Sequence, residues 1–207
     1  RGRWLRDEGG GAELDARGVA PFSQVRVRLA FFKDYGDASP GVWDPDPMRA
    51  SDFFLLPDQN ADFLSFAAPQ MAGGGWDWPE GDAVCLNKAM DSPWMKPGDV
   101  ITSSGERVTD VYPLIVVWTD SPAHGVDFAN SIANPDYPPP SEMPRTYEAL
   151  LAKWNAPAVI DQPNKQILFF GDPNLDDTLA VDRSAWLTIK DWPGFTVGGT
   201  LLDGNTA

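Results

Sequence analysis

The sequence predicts an α/β fold with a mostly parallel sheet, because segments typical of strands alternate along the chain with segments typical of helices. Three segments support this prediction most strongly. Residues 25–31 alternate in side-chain polarity, residues 112–119 have an apolar centre, and residues 147–154 repeat apolar side chains at helical spacing. We expect helices on both faces of the sheet.

The first predicted strands follow an N-terminal arm or loop, residues 1–24, which lacks periodicity. Alternation over residues 25–31 predicts a half-buried strand, and the apolar residues 53–56 predict a second one. Residues 33–47 between them are rich in Asp, Gly and Pro and predict a long connection. Residues 25–207 are expected to form one domain.

Two helices are predicted in the middle of the chain. The first covers residues 62–68 and stops at a proline. The second passes through Ala83 and Met90, with Asp77 as its N-cap and Pro79 in its first turn. The polar residues 93–107 then predict a loop.

A fully buried strand is predicted over residues 112–119, because its apolar centre shows no alternation. Residues 147–154 predict an amphipathic helix. Further elements are expected in the C-terminal part of the chain: strands at 166–170 and 195–197, and a short helix at 184–190.

The chain is strongly acidic: its 207 residues contain 16 Lys and Arg against 30 Asp and Glu, a formal charge of −14. Such a surface repels phosphate backbones and anionic bilayers, so we expect neither nucleic-acid binding nor membrane association. The longest apolar stretch, Leu114–Trp118, is far shorter than the roughly 20 residues of a membrane span. Membrane insertion is therefore not expected.

Two rare residue types limit the possible sites. A lone cysteine, Cys85, excludes an intrachain disulfide, and a lone histidine, His124, excludes a two-histidine zinc site. A metal would be held mainly by oxygen, which favours Mg²⁺, with Ca²⁺ and Mn²⁺ as alternatives. The single cysteine and the lack of a signal-peptide pattern at the start favour the cytoplasm.

Two acidic residues are candidates for a functional site. Asp120 follows the predicted buried strand, where a strand end fixes the carboxylate and a loop opens to solvent; its alternative role is an Asx-turn. Asp77 lies in a Gly-rich turn between Trp76 and Trp78 and is either a cation ligand or a helix cap. The two tryptophans either stack against a partner or pack under the loop.

A hydrolase is the alternative from a different functional class. It would use Asp120 and His124, with His124 as the base, and either a serine (Ser103, Ser104 or Ser121) or a metal-bound water as the nucleophile. The chain contains no Gly-x-Ser-x-Gly elbow to hold such a serine. We therefore do not expect an enzyme.

Three motifs occur in order: Lys33-Asp-Tyr-Gly-Asp37 after the first strand, Gly73-Gly-Gly-Trp-Asp-Trp-Pro-Glu80, and Thr119-Asp-Ser-Pro-Ala-His-Gly125. Together, over residues 25–200, they resemble the von Willebrand factor A (vWA) domain. The similar branch of that family reads Tyr-Arg-Asp-Tyr-Gly-Asp, Gly-Gly-Gly-Asp-x-Pro-Glu and Thr-Asp-Ala-Pro-Pro-His-Gly. The resemblance implies a Rossmann-like, three-layer domain with a metal-ion-dependent adhesion site.

In that family three loops supply the metal ligands. The resemblance implies Asp77 for the second loop and Asp120 for the third, with Ser121, His124, Trp76 and Trp78 shaping the rim. The Asp-x-Ser-x-Ser loop of the first strand has no counterpart. The family's first strand and helix would precede residue 24 and its last helix would begin near residue 205, so the domain is expected to be truncated at both ends.

The resemblance implies a role in protein recognition or adhesion, in which a partner carboxylate completes the metal site. One alternative is a structural subunit of a larger assembly with a degenerate metal site. In either case we expect the partner to be another protein, including one that supplies the missing strand.

Overall fold

The computed structural model describes residues 24–33, 48–70, 81–101, 104–123, 144, 146–157, 160, 164–171 and 185–200. The chain falls into two compact units, Arg1–Phe31 with Arg49–Gly73, and Phe32–Met48 with Gly74–Ala207. The described residues contain both helices and strands, including a parallel sheet, which confirms the α/β class. None of the described helices has the length and apolar character that crossing a membrane requires.

Within residues 24–33 and 48–70, the structure describes four short strands and one helix. These are β1 (Val25–Val27), β2 (Ala30–Phe32), β3 (Met48–Ala50), β4 (Phe54–Leu56) and α1 (Asn60–Ala67). β1 pairs antiparallel with β4, and β2 pairs with β3. The predicted helix at residues 62–68 is thus confirmed, with a start two residues earlier.

The single strand predicted over residues 25–31 is wrong: two short strands are separated by Arg28 and Leu29. Ser51 causes the break. Its backbone N–H donates to the Leu29 carbonyl at 2.9 Å, and its hydroxyl accepts from the Leu29 N–H at 3.0 Å. The Arg28 Nε donates to the Ser51 carbonyl at 2.7 Å. These bonds satisfy the backbone N–H and carbonyl of Leu29 between the two strands, but they do not continue the hydrogen-bonding pattern of a β-sheet.

Phenylalanine side chains hold the first unit together. Phe54 meets Phe63 edge-on at 6.0 Å between ring centroids and lies 6.3 Å from Phe66. Phe31 is also 6.0 Å from Phe66. These rings are only half-buried, and α1 contributes no fully buried residue. The described part of this unit therefore has a small apolar core.

The second unit is built on a parallel three-stranded sheet in the order β5 (Leu114–Trp118), β6 (Gln166–Gly171) and β7 (Phe195–Thr200). Three of its described segments are helices: α2 (Asp82–Met90), α3 (Tyr147–Asn155) and α4 (Trp186–Ile189). Side chains from all three helices form one buried cluster with Ile115, Ile167 and Phe169. These three strand residues share one face of the sheet, because side chains alternate along a strand.

The prediction that residues 112–119 form a fully buried strand is wrong. Leu114 is 45% exposed and Trp118 is 58% exposed, whereas Ile115 between them is buried. β5 lies at the edge of the sheet and pairs only with β6 among the described strands. The apolar side chains of β5 therefore lie on two faces of the sheet, one buried and one partly exposed to solvent. Helices on both faces remain a prediction.

Other boundaries differ from the sequence-based ones for local reasons. α2 begins at Asp82 with Gly81 as its N-cap, rather than at Asp77, which lies outside the described residues. The predicted helix at 147–154 is confirmed, and the hydroxyl of its N-cap, Thr146, accepts a hydrogen bond from the Ala149 N–H at 3.1 Å. The proposed N-terminal arm, residues 1–24, lies outside the described residues apart from Gln24.

A lysine on α3 joins that helix to the end of α2. The Lys153 ammonium donates to the side-chain oxygen of Asn87 at 2.8 Å, to its carbonyl at 3.1 Å, and to the Asp91 carboxylate at 2.6 Å. Asn87 is buried, whereas the Asp91 side chain is 59% exposed. The bonds to Asn87 should therefore matter more than the ion pair, which water and salt screen.

We expect Lys153→Met to lower the free energy of unfolding by about 1–2 kcal/mol, because it leaves buried acceptors of Asn87 without their donor. Asp91→Asn should cost less than about 1 kcal/mol, since it removes only the exposed ion pair. Urea denaturation of the two variants measures both values. Equal losses would contradict this assignment and attribute the effect to the ion pair.

Candidate functional site

The residues that follow β5 form a turn held by hydroxyl groups. The Thr119 N–H donates to the Phe170 carbonyl at 3.1 Å, which extends the pairing with β6 one residue past the strand. The Ser121 N–H then donates to the Thr119 Oγ1 at 3.3 Å, and the two hydroxyl oxygens lie 3.4 Å apart. Both side chains are buried. These buried contacts therefore fix the backbone on both sides of Asp120.

Asp120 is the exposed residue between these two buried ones. Within the described part of the chain, its carboxylate has neither a hydrogen bond nor an ion pair. The Asx-turn interpretation is not supported, because the residue two positions on, Pro122, has no backbone N–H to donate to the Asp120 carboxylate. The site thus presents an uncompensated carboxylate at the carboxyl end of a parallel strand, where α/β proteins bind ligands.

Two aromatic rings lie beside this turn. Trp118 and Phe170 stack with centroids 5.7 Å apart and planes 16° from parallel. A Cβ atom at Gly198 would lie 2.7 Å from the Phe170 ring, so glycine at this position of β7 leaves room for the ring. More than half of Trp118 remains exposed. The rim of the strand ends therefore combines an apolar aromatic surface with the Asp120 carboxylate.

This aromatic pair is absent from the sequence-based prediction. Trp118 lies at the end of a strand that we expected to be buried, and the register that places it opposite Phe170 joins distant parts of the chain. The signal that could have found it is the position of Trp118 directly before Asp120. An aromatic ring at the last residue of a strand reaches the same edge as the following loop.

The structure describes only some of the predicted site residues. Ser121 is buried against Thr119, at the base of the turn rather than on its surface. Four others lie outside the described residues: Asp77, Trp76, Trp78 and His124. Whether Asp77 approaches Asp120 stays a prediction. The same holds for the hydrolase, since its base lies among these four.

The serines of the hydrolase hypothesis differ in their surroundings. Ser104 is exposed, and its hydroxyl accepts from the Glu106 N–H at 3.3 Å and lies 3.4 Å from that carboxylate. This local turn satisfies the hydroxyl. Ser121 is engaged with Thr119, as above, and Ser103 lies outside the described residues.

Asp120 suits a hard cation by its donor type, because Mg²⁺ prefers carboxylate oxygens and retains several water molecules. The described ranges hold no group of three or more His, Cys, Asp or Glu side chains arranged to bind a metal. A metal ion at Asp120 would therefore need further ligands from other parts of the chain, such as Asp77.

Comparisons with known proteins add no further constraint. No protein-family model matches the chain, and no curated protein or solved structure matches it significantly. The three sequence motifs and the geometry of the strand ends are therefore the features that bear on function.

Proposed function

We propose that this chain is a protein-recognition domain of the vWA type, with a Rossmann-like fold and helices on both faces of its sheet. The observation that supports the proposal best is the exposed, uncompensated carboxylate of Asp120 at the end of a parallel strand. Exposed Trp118 lies next to it and supplies apolar contact area. Aromatic residues are enriched in protein interfaces, where they provide much of the binding energy.

Each residue of the site has a proposed role. Asp120 and Asp77 hold a divalent cation, Mg²⁺ or alternatively Ca²⁺ or Mn²⁺. The hydrogen bonds between Thr119 and Ser121 fix the backbone on both sides of Asp120, so that its carboxylate stays at the surface. His124, Trp76 and Trp78 shape the rim that the partner contacts.

The acidic character of the chain explains why a bound cation would help it to bind an acidic partner. A net charge of −14 repels an acidic partner at long range. A bound Mg²⁺ would supply local positive charge and an open position for a partner's carboxylate. The apolar surface of Trp118 then adds contacts that do not depend on charge.

The test is the effect of Mg²⁺ on thermal stability. A ligand present at 100 times its Kd stabilises the folded state by about 2.7 kcal/mol, which raises the melting temperature. We expect this rise in the unmodified chain and not in Asp120→Ala, because the variant lacks the carboxylate. A rise of equal size in Asp120→Ala would refute the ligand assignment.

Asp110→Ala is the matched control, because Asp110 is also exposed and lies before the same strand. Removing either acid lowers the net negative charge by one, so a general effect of Mg²⁺ on an acidic surface changes equally in both variants. Loss of the response in Asp120→Ala alone indicates a specific site.

A structural subunit of a larger assembly is the second candidate function. The observation that favours it is the partly exposed apolar strand β5 at the edge of its sheet, since exposed apolar edges of this kind are usually covered. In this case the chain would associate with other proteins without a metal, and the Mg²⁺ response would be absent from the unmodified chain as well.

A further inference from the structure

Among the described residues, the backbone of β5 has one edge bonded to β6 and one edge with no partner strand. The Gln166 N–H donates to the Pro113 carbonyl at 2.9 Å, and the Thr119 N–H donates to the Phe170 carbonyl. Bonding alternates along a parallel strand, so Ile115 and Val117 also direct their backbone groups toward β6. The N–H and C=O groups at positions 114, 116 and 118 therefore point to the other edge.

No strand in the described part of the chain pairs with that open edge. The side chains of the same three residues share the sheet face opposite the buried cluster, and two of them are exposed: Leu114 and Trp118. A partner at this edge must therefore satisfy backbone groups and cover apolar side chains together. An extended peptide strand does both, by adding to the sheet.

The outer edge of β7 is less suited to the same role. The register between β6 and β7 shifts at Phe169 and Phe170, and β7 contains two adjacent glycines, Gly198 and Gly199. Bulges and irregular twist are features that protect sheet edges from added strands. The pairing of β5 with β6 is regular over all five residues, so β5 offers the better template.

Charge indicates which kind of strand fits. Exposed Asp110 lies four residues before β5, and exposed Asp120 lies two residues after it. A second copy of this chain would bring another charge of −14 against the first. Opposite charges near the ends of a strand favour the correct partner, whereas like charges disfavour it.

We propose that the open edge of β5 binds an extended segment of another protein, apolar at alternate positions and carrying Lys or Arg at its ends. The segment pairs with the backbone of positions 114, 116 and 118 and covers the exposed side chains of Leu114 and Trp118. The proposal rests in part on the proposed recognition site, because both use Trp118 and Asp120, but it needs no metal. Peptide binding in EDTA therefore distinguishes its failure from the loss of the Mg²⁺ response.

The first test is amide hydrogen exchange by NMR on the full chain in EDTA. In the unbound chain, the amides of Ile115 and Val117 should exchange slowly, while those of Leu114, Val116 and Trp118 exchange fast. The probe is the synthetic peptide Lys-Val-Thr-Val-Thr-Val-Lys with both ends blocked. Adding it should slow exchange at the three outward amides. No slowing at millimolar peptide would overturn the proposal.

The second test uses the same peptide and two matched substitutions. Leu114→Lys places a positive charge on the open edge of β5, and Val197→Lys places one on β7 at a side chain of similar exposure. Leu114→Lys should weaken peptide binding by about tenfold or more. Val197→Lys should leave it unchanged. Equal weakening in both variants would overturn the proposal.

Val116→Pro tests the backbone contribution directly. Its N–H points away from β6, so proline removes a donor from the open edge and keeps the bonds to β6, a placement that edge strands tolerate. We expect loss of peptide binding with the exchange of Ile115 and Val117 still slow. Binding as in the unmodified chain would contradict the proposal.

Two more controls fix the identity of the occupant. The peptide with glutamate in place of lysine should bind at least about tenfold more weakly, because it meets Asp110 and Asp120 with like charge. The unmodified chain should remain a monomer in sedimentation experiments. A dimer that protects the three outward amides would show that a second copy occupies the edge and would refute the proposed basic partner.

Discussion

Replacing Phe169 with alanine is expected to lower the free energy of unfolding of the second unit by about 3–5 kcal/mol. Phe169 is fully buried in the middle strand of the sheet, where its ring meets Trp186 edge-on at 4.8 Å and Phe195 at 5.7 Å. Alanine removes these ring contacts and leaves a cavity between the sheet and α4. Since whole domains are stable by only about 5–15 kcal/mol, a loss of this size approaches unfolding.

Leu187→Ala on α4 is the control, because Leu187 is 39% exposed and lies next to Trp186 in the sequence. Its loss should stay below about 1 kcal/mol. Chemical denaturation followed by tryptophan fluorescence and by circular dichroism measures both variants. Equal losses in the two would show that the buried cluster does not depend on Phe169, contrary to the structure.

The elements that could be predicted best are those whose signals are local. α3 combines apolar side chains at helical spacing with a capping residue, Thr146, and both are visible in the sequence. The break between β1 and β2 could not be predicted, because it depends on Ser51, which lies more than twenty residues further along the chain. Alternation over residues 25–31 is equally consistent with one strand or two.

The burial of β5 shows a second limit of sequence reasoning. A continuous apolar run predicts a strand covered on both faces, but the run contains no information about how many neighbours the strand has. Leu114 and Trp118 are exposed because β5 has one described neighbour and because the described helices pack with Ile115 on the other face. The same sequence would be buried if a further strand and helix covered it.

The candidate site also has one part that the local sequence predicts and another part that it does not. The position of Asp120 at a strand end follows from the sequence, because a polar turn directly follows an apolar run. The roles of its neighbours do not, since the Thr119 hydroxyl accepts the Ser121 N–H only once the turn is formed. The stacking of Trp118 on Phe170 requires the register between β5 and β6. Local sequence predicts the carboxylate, and long-range pairing provides the surface around it.

Gly194→Ala is the other substitution with a large expected effect on stability. Gly194 has φ of +81°, and a Cβ atom there would lie 2.6 Å from the backbone carbonyl oxygen of Lys165. The Gly194 carbonyl also accepts the Ile167 N–H at 2.9 Å, at the start of the pairing between β6 and β7. Alanine must therefore move one of two strand ends. We expect a loss of about 3 kcal/mol or more in the free energy of unfolding.

Gly105→Ala separates the two causes of that loss. Gly105 has a similar φ of +74°, but nothing lies within 4 Å of the position that its Cβ would take. Its alanine variant bears only the cost of the left-handed backbone, about 1–2 kcal/mol. Urea denaturation of both variants gives the difference, which measures the displacement of the Lys165 carbonyl and the loss of strand pairing. Equal losses would mean that the backbone relaxes around Gly194 and that the β6–β7 connection is not held by this close approach.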